Sequence, residues 1–376
     1  MRFSSLKVVH IISSLNSGGA EKMLTRLINN FSSGEHIVIS LTTLGTLGPE
    51  LCKKGFEVHA LDMDILNFFI KSVSLFRLLK FLKPDVVQTW MYHADFLGGL
   101  VARLCRVKAV YWNVRNTRIP QGIFSRTGTV IFLCILTSYF VPKKIICCAH
   151  SGRKFHAKLG YRSDRLTVIP NGYEVGDALK ASKGLSLRSV LNIPSSTFVI
   201  GIIGRYDFLK GHDVLIDAVE KLLPELKCSV TFLCAGRGVD ENNHELLSLI
   251  KRANVENVFT LLGERSDIPA VLNTLDVLCL PSRAEGFPNV VAEAMLYQIP
   301  CVVADVGDAS LIVSETGYIF KAGDSNSLAK KLKMIVALSK QKRKALGKVA
   351  RSQIVQRYDI SDICEKYENL YLSSKE

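Results

Sequence analysis

Short runs of β-branched and other apolar residues alternate along the chain with stretches whose apolar positions recur at helical spacing. Such alternation predicts parallel sheets whose strands are joined by crossover helices. In the first half the strand candidates are LKVVHII (6–12), HIVISL (36–41), FEVHAL (56–61), DVVQTW (85–90), AVYWNV (109–114), KIICC (144–148) and LTVIP (166–170). Between them lie helical patterns such as AEKMLTRLINNF, SLFRLLKFL and ADFLGGLVARLC. A second series starts at FVIGIIG (198–204) and continues through SVTFLCAG, VFTLLG, VLCLP and PCVVADV, with HDVLIDAVEKLL, HELLSLIKRA and VVAEAMLY as its helices. The break falls after Pro170-Asn171-Gly172, where the polar stretch YEVGDALKASKG reads as a linker. No internal repeat is visible. The expected fold is α/β, with two doubly wound, Rossmann-like domains facing each other across a cleft. Residues 1–172 form the first domain, 173–183 the linker and 184–357 the second. Ligands of such sheets bind at the carboxyl ends of the strands, so the loops after the strands are where chemistry is expected.

A length of 376 residues agrees with two domains rather than one core. A mean hydropathy of +0.21 indicates a well-packed, rather apolar globular protein. The ten cysteines form no CxxC or Cys/His ligand pattern and read as reduced, mostly buried thiols of a cytosolic protein. LKVVHII is too short and too quickly followed by a polar loop to be a signal peptide. The charge is uneven. Residues 1–180 hold 24 Lys and Arg against 11 Asp and Glu, whereas the remainder is nearly neutral at 24 against 23. One basic domain implies an anionic partner. No nucleic-acid module is present, and an anionic membrane surface or a pyrophosphate-linked acceptor fits better. The uncharged segment GTVIFLCILTSYFVP (128–142), bounded by Arg126 and Lys143-Lys144, is too short to span a bilayer. It reads either as a core helix or as an interfacial one.

Several strand-end loops carry candidate chemistry. Glu285 and Glu293 stand eight apart in RAEGFPNVVAEAM, the first on a loop after VLCLP and the second inside a helix that Asn289 can cap. A helix start offers N–H donors to an anion, and two carboxylates can accept hydroxyl hydrogen bonds; a nucleotide sugar has both kinds of group. After FVIGIIG come Arg205 and Lys210, which together can neutralise a diphosphate as it leaves. Gly18 and Gly19 precede a helix start after the first strand, suited to close backbone approach, though not as a G-x-G-x-x-G or P-loop fingerprint. His93 falls just past the fourth strand, where it can orient a hydroxyl or simply cap structure. Asp62-Met63-Asp64 has the spacing of a metal-binding D-x-D but no partner ligand, and no metal is expected.

Taken together, GGAE near the N-terminus, G-x-x-x-R-x-x-x-x-K from Gly201 to Lys210, E-x7-E, VIPNG (168–172), AGRG (235–238) and FPNVVAEAM (287–295) resemble the retaining glycosyltransferases of family 4, which have the GT-B fold. The resemblance is to bacterial members that build capsule, O-antigen and other surface polysaccharides. It implies that Arg205 and Lys210 bind the donor pyrophosphate, that Glu285 contacts the sugar hydroxyls and that Glu293 accepts the ribose hydroxyls. It further implies that backbone groups around Phe287, Pro288, Asn289 and Val290, with Gly18 and Gly19, complete the cradle, and that the base lies near Gly236 and the Arg265–Ile268 loop. A closing helix, within 358–376, would pack back towards the first domain, which would bind the acceptor. The implied reaction is metal-independent transfer of a hexose or N-acetylhexosamine from a UDP-sugar or similar donor to a lipid-linked glycan, at the inner face of the cytoplasmic membrane. One departure is evident: many relatives carry H-x-H at the end of the fourth strand, and here Gln88-Thr89-Trp90 precedes His93. Two other readings use the same scaffold, a sugar-nucleotide epimerase or hydrolase and a non-catalytic membrane-peripheral scaffold that retains the pocket.

Overall fold

Both series of apolar runs pair into parallel sheets in the computed structural model, which describes residues 6–16, 18–119, 122, 125–176 and 187–373. The chain divides into two compact units, one of Met1–Gly172 with Ile360–Glu376 and one of Tyr173–Asp359. The first unit contains β1 (Lys7–Ile12), β2 (Glu35–Ser40), β3 (Glu57–Ala60), β4 (Val86–Trp90), β5 (Ala109–Val114), β6 (Lys144–Cys147) and β7 (Leu166–Val168), in the order β3-β2-β1-β4-β5-β6-β7. The second contains β8 (Phe198–Ile203), β9 (Val230–Ala235), β10 (Phe259–Leu261), β11 (Val277–Leu280), β12 (Cys301–Ala304) and β13 (Tyr318–Phe320), in the order β10-β9-β8-β11-β12-β13. Both orders run outward in one direction from the unit's first strand and then restart on its other side. The winding therefore reverses between β1 and β4, and again between β8 and β11. At such a reversal the loops leaving the two adjacent strands diverge, and a crevice opens at their carboxyl ends.

The strands are buried on both faces, which explains their continuous apolar character. In the first unit one core lies under helices Phe68–Leu82, Tyr92–Leu104 and Arg126–Thr137, and the other under helix Gly19–Asn30 and the C-terminal helix Ile360–Leu372. That last helix buries Ile363, Cys364, Tyr367 and Tyr371. It is also hydrogen-bonded to the sheet: Asn113 Nδ2 donates to Tyr367 Oη (2.8 Å), and Tyr111 Oη donates to the Leu370 carbonyl (2.7 Å). Residues 173–176, read as linker from the sequence, belong to the second unit, because Tyr173 N donates to the Tyr358 carbonyl (2.8 Å) and Tyr173 bridges Asp359. Residues 177–183 of that linker lie outside the described residues.

Part of the 128–142 segment packs as core and part faces outward. Helix Arg126–Thr137 buries Gly128, Ile131, Cys134 and Thr137, and it exposes Phe132 and Leu136. Among the described residues no helix is long and apolar enough to cross a membrane. None of the ten cysteines is disulfide-bonded, and seven are buried.

Candidate active site

The loop leaving β8 is shaped by its own residues. Asp207 caps the short turn Phe208–Lys210 by accepting from the Leu209 N–H (2.9 Å), and its other oxygen lies 3.3 Å from the Arg205 guanidinium. Gly211 follows with φ of +69°, and a Cβ there would lie 2.1 Å from the Pro281 carbonyl oxygen. Only glycine allows this turn to rest on the loop that leaves β11. Arg283 fastens the two loops together. It binds both Asp213 oxygens (2.7 and 2.5 Å), donates to the Phe208 carbonyl (2.8 Å) and lies 4.2 Å from the centre of the Phe208 ring. Burial alone would raise the pKa of Asp213, but the Arg283 bonds outweigh it and hold the carboxyl below its ordinary range.

This clamp brings two of the sequence candidates into contact. Lys210 Nζ donates to Glu285 Oε1 at 2.7 Å, and Ser282 Oγ donates to the same oxygen at 2.7 Å. Both charged side chains are largely buried, at 25% and 11% exposure, so a cation and a carboxylate stand fixed at the crevice between β8 and β11. The Glu285 backbone is held from behind: Gly307, after β12, has φ of +59°, and a Cβ there would lie 2.4 Å from the Glu285 carbonyl oxygen. Beyond Glu285, helix Asn289–Leu296 carries the half-buried Glu293 and begins with Val290 in its first turn.

The cap expected of Asn289 is not made. The N-cap position is Pro288, and Asn289 is the first helical residue, with Oδ1 accepting from Tyr173 Oη (2.7 Å). Proline brings a φ already suited to entering a helix and needs no N–H partner there, which leaves the Asn289 side chain to serve a different contact. Phe287 is buried between Tyr173 and Tyr358, with ring centres 6.3 and 5.3 Å away. Gly236 follows β9, with its N–H donating to the Gly263 carbonyl (2.7 Å). Arg265 makes a two-pronged pair with Asp267 (2.7 and 2.5 Å), and Ile268 opens the next helix. These three lie at the ends of β9 and β10, on one side of the reversal.

In the first unit Gly18 and Gly19 begin helix Gly19–Asn30 after β1, and His93 lies in the first turn of helix Tyr92–Leu104 after β4. They thus flank that sheet's own reversal. His93 is exposed at the rim of an apolar cavity, and desolvation lowers its pKa. Trp90 is fully buried, donates to His10 Nδ1 (3.4 Å) and lies 4.9 Å from the Arg115 guanidinium. Asp95 is buried too and accepts from Thr89 Oγ1 (2.6 Å). Asp64 of the D-x-D is engaged in a turn, exchanging hydrogen bonds with Asn67 (2.8 and 2.9 Å), and no metal-ligating cluster occurs among the described residues.

Sequence reasoning missed Ser282, Arg283, Tyr173 and Gly307. Ser282 and Arg283 adjoin Glu285 in the same loop, yet no spacing rule connects Arg283 to Asp213, which lies 70 positions away.

Two Rossmann-like sheets, with a lysine–glutamate pair at the reversal of the second, define a GT-B glycosyltransferase. The family assignment agrees. Residues 17–176 match the model described as Glycosyltransferase Family 4, residues 197–337 match Glycosyl transferases group 1, and the chain belongs to these glycosyltransferases. It is 26% identical over 338 residues to the Escherichia coli UDP-Gal:alpha-D-GlcNAc-diphosphoundecaprenol alpha-1,3-galactosyltransferase, covering 86% of this chain and 82% of that one. It is 24% identical to the Staphylococcus aureus capsular polysaccharide biosynthesis glycosyltransferase CapM, covering 84% and 87%. Among solved structures, Anabaena HepE in complex with UDP-glucose superposes with a TM-score of 0.82 at 22% identity, covering 98% of this chain and 100% of that one.

Proposed function

We propose that the chain is a retaining, metal-independent transferase that moves a hexose or N-acetylhexosamine from a nucleotide sugar to a lipid-linked glycan during assembly of a bacterial surface polysaccharide. The observation that carries this reading is the 2.7 Å contact of Lys210 with Glu285 at the reversal of the second sheet, with Arg205 on the same loop as Lys210. In this reading the donor diphosphate takes over Lys210 Nζ and the Arg205 guanidinium. Fixed cations there stabilise the charge that grows on the leaving phosphate without a metal ion. Glu285, released from Lys210 but still oriented by Ser282, accepts hydroxyl hydrogen bonds from the transferred sugar, and Glu293 accepts those of the ribose. The base lies towards Gly236 and the Arg265–Ile268 loop. The leaving phosphate oxygen receives the acceptor proton on the face from which it departs, and configuration is retained. The names of the E. coli and Anabaena relatives support a UDP-sugar donor, that of the E. coli relative supports a diphosphoundecaprenol-linked acceptor, and that of the S. aureus relative supports a role in polysaccharide biosynthesis. Gly18 and Gly19 would complete the donor cradle from the first unit, which with His93 would bind that acceptor, and the unit's basic character supports a peripheral position on an anionic membrane.

The test is a panel of nucleotide sugars, with nucleoside-diphosphate release measured against extracted lipid acceptors. Release that needs both donor and acceptor, and that persists in a chelator, is the expected result. Lys210→Ala and Glu285→Gln should each lower kcat by about 10²-fold or more, the scale for losing one group that stabilises the transition state. Undiminished turnover in Lys210→Ala would remove that residue from the reaction, and donor consumption without acceptor would favour an epimerase or hydrolase.

A further inference from the structure

The N-terminal unit contains a half-open cavity of about 700 Å³ that the donor chemistry does not use. At one end stand Ser13, Thr42 and His93, which follow β1, β2 and β4 and so mark the carboxyl edge of the sheet. Ser14 and Asp64 also reach the lining, and the rest of the wall is carbon, with Phe68, Leu97 and Val130 from three different helices. A free sugar or nucleotide would lose its hydration against such a wall and find few partners in exchange. A purely apolar ligand would have no use for the hydroxyls and the imidazole. The lining suits a molecule with a hydrocarbon chain at one end and a polar head at the other.

The surroundings indicate how such a molecule would arrive. Beside the cavity mouth the side chains of Ile65, Leu66 and Phe69 are 74%, 95% and 83% exposed. Contiguous exposed apolar groups of this kind mark an interaction surface. Residues 65–83 carry Lys71, Arg77, Lys80 and Lys83 and no acidic residue. Residues 96–163, which supply Leu97 and Val130, hold twelve Lys and Arg and again no Asp or Glu. Although Asp64 lines the cavity, the net positive charge of the first half of the chain favours an anionic head group.

We propose that this cavity receives the hydrocarbon segment next to the phosphate of the acceptor's lipid carrier. The phosphate lies outside the carbon walls, and the glycan is presented at the strand-end loops beside His93. The inference rests on the reading of the enzyme as one that glycosylates a lipid-linked acceptor, and it gives that acceptor a place. The carbon walls set how far the chain enters. They thereby fix the height of the glycan over the sheet edge, whatever sugar it carries.

The experiment uses the full chain and farnesyl phosphate as the probe, titrated calorimetrically without donor. Farnesyl phosphate should bind the wild type with a negative heat-capacity change, the signature of apolar burial. Leu97→Trp and Val130→Trp fill the cavity from two helices, and each should weaken binding roughly tenfold or more, a difference well within calorimetric reach. Val349→Ser, at an exposed apolar residue of the other unit, should leave binding unchanged. Cooperative thermal melts identify the folded variants, and either one alone suffices. Absence of binding by the wild type, or equal binding by the wild type and a folded tryptophan variant, overturns the proposal. The same variants are then assayed for sugar transfer to extracted lipid. Wild-type rates in a filled variant overturn the proposal but leave the enzyme reading intact, whereas no labelling of lipid by the wild type overturns both.

Discussion

Gly307 shows how much of the site depends on residues that carry no chemistry. Its φ of +59° and the 2.4 and 2.6 Å that would separate a Cβ from the carbonyl oxygens of Glu285 and Gly286 leave no room for a side chain. Gly307→Ala must either strain its own backbone, at about 1–3 kcal/mol, or push the Glu285 loop away. A displacement near 1 Å is enough to cost on the order of 10²-fold in rate, even though neither Lys210 nor Glu285 has changed. The expected outcome is a large loss in kcat with a modest fall in Tm, measured side by side on the purified variant; wild-type kcat would show that Gly307 does not set the position of Glu285. The two charged residues were legible in the sequence because charges on a loop after a buried strand have few structural uses. Gly307 was not, because its constraint comes from the loop one whole crossover back along the chain. The role of Arg283 was hidden for the same reason, since its partner Asp213 belongs to the helix after β8.

At the scale of elements, helix Phe68–Leu82 departs furthest from what its pattern predicted. Helical periodicity was visible from Ser74, yet the helix begins at Phe68, because Phe69, Ile70 and Val73 face outward and blur the contrast between the two sides. Only Leu75, Leu79 and Leu82 are buried. An outward stripe of Phe69, Ile70, Val73 and Phe81 interleaved with Lys71, Arg77 and Lys80 suits a bilayer surface, where each cation adds about 1 kcal/mol of attraction to anionic lipid. The full chain should float with phosphatidylglycerol vesicles and much less with phosphatidylcholine vesicles. Joint replacement Phe69→Ser and Lys80→Ser should lower the bound fraction several-fold, and added salt should do the same to the wild type. Equal flotation with both lipids would remove the electrostatic part of this reading. The edge strand β13 was missed for a different reason. Its three residues, Tyr318–Phe320, are cut off by Gly317 and Lys321, whereas the equally short β7 and β10 sit in longer apolar runs, and only the neighbouring β12 identifies them.

For the molecule as a whole, alternation of strand and helix predicted two parallel sheets, but not the neighbours of each strand. The adjacency of β1 with β4 and of β8 with β11, which creates both crevices, is a property of the crossovers and leaves no mark in local sequence. The distribution of buried histidines is a second property of the whole chain, and it yields a prediction. Desolvation lowers the pKa of His10, His36 and His156 in the first unit and of His212 in the second, with His156 and His212 brought down to about 4. A base whose folded pKa lies below its unfolded value is neutral in the fold, so the unfolded chain binds the extra protons as the solution is acidified. The stability it contributes is complete above about pH 6.5, the unfolded value, and is lost progressively towards pH 4. For a shift the size of that at His156, the full loss is on the order of 3 kcal/mol. Asp95 works in the opposite direction, since burial raises its pKa and favours the fold at low pH. Glu21, whose pKa desolvation also raises, acts in the same sense, so two acids stand against four histidines in that unit when His93 is counted, and the unit's net positive charge grows on acidification and adds self-repulsion. Trp90 and Trp112 are the chain's two tryptophans, and both are fully buried in the first unit, so tryptophan fluorescence reports on that unit specifically. The fluorescence-detected Tm should change little from pH 8 to 7 and fall steadily from about pH 6.5 to 4.5, the window set by the neutral histidines. A Tm that stays level or rises across that interval would mean that the buried histidines are hydrated, or that Asp95 and Glu21 outweigh them.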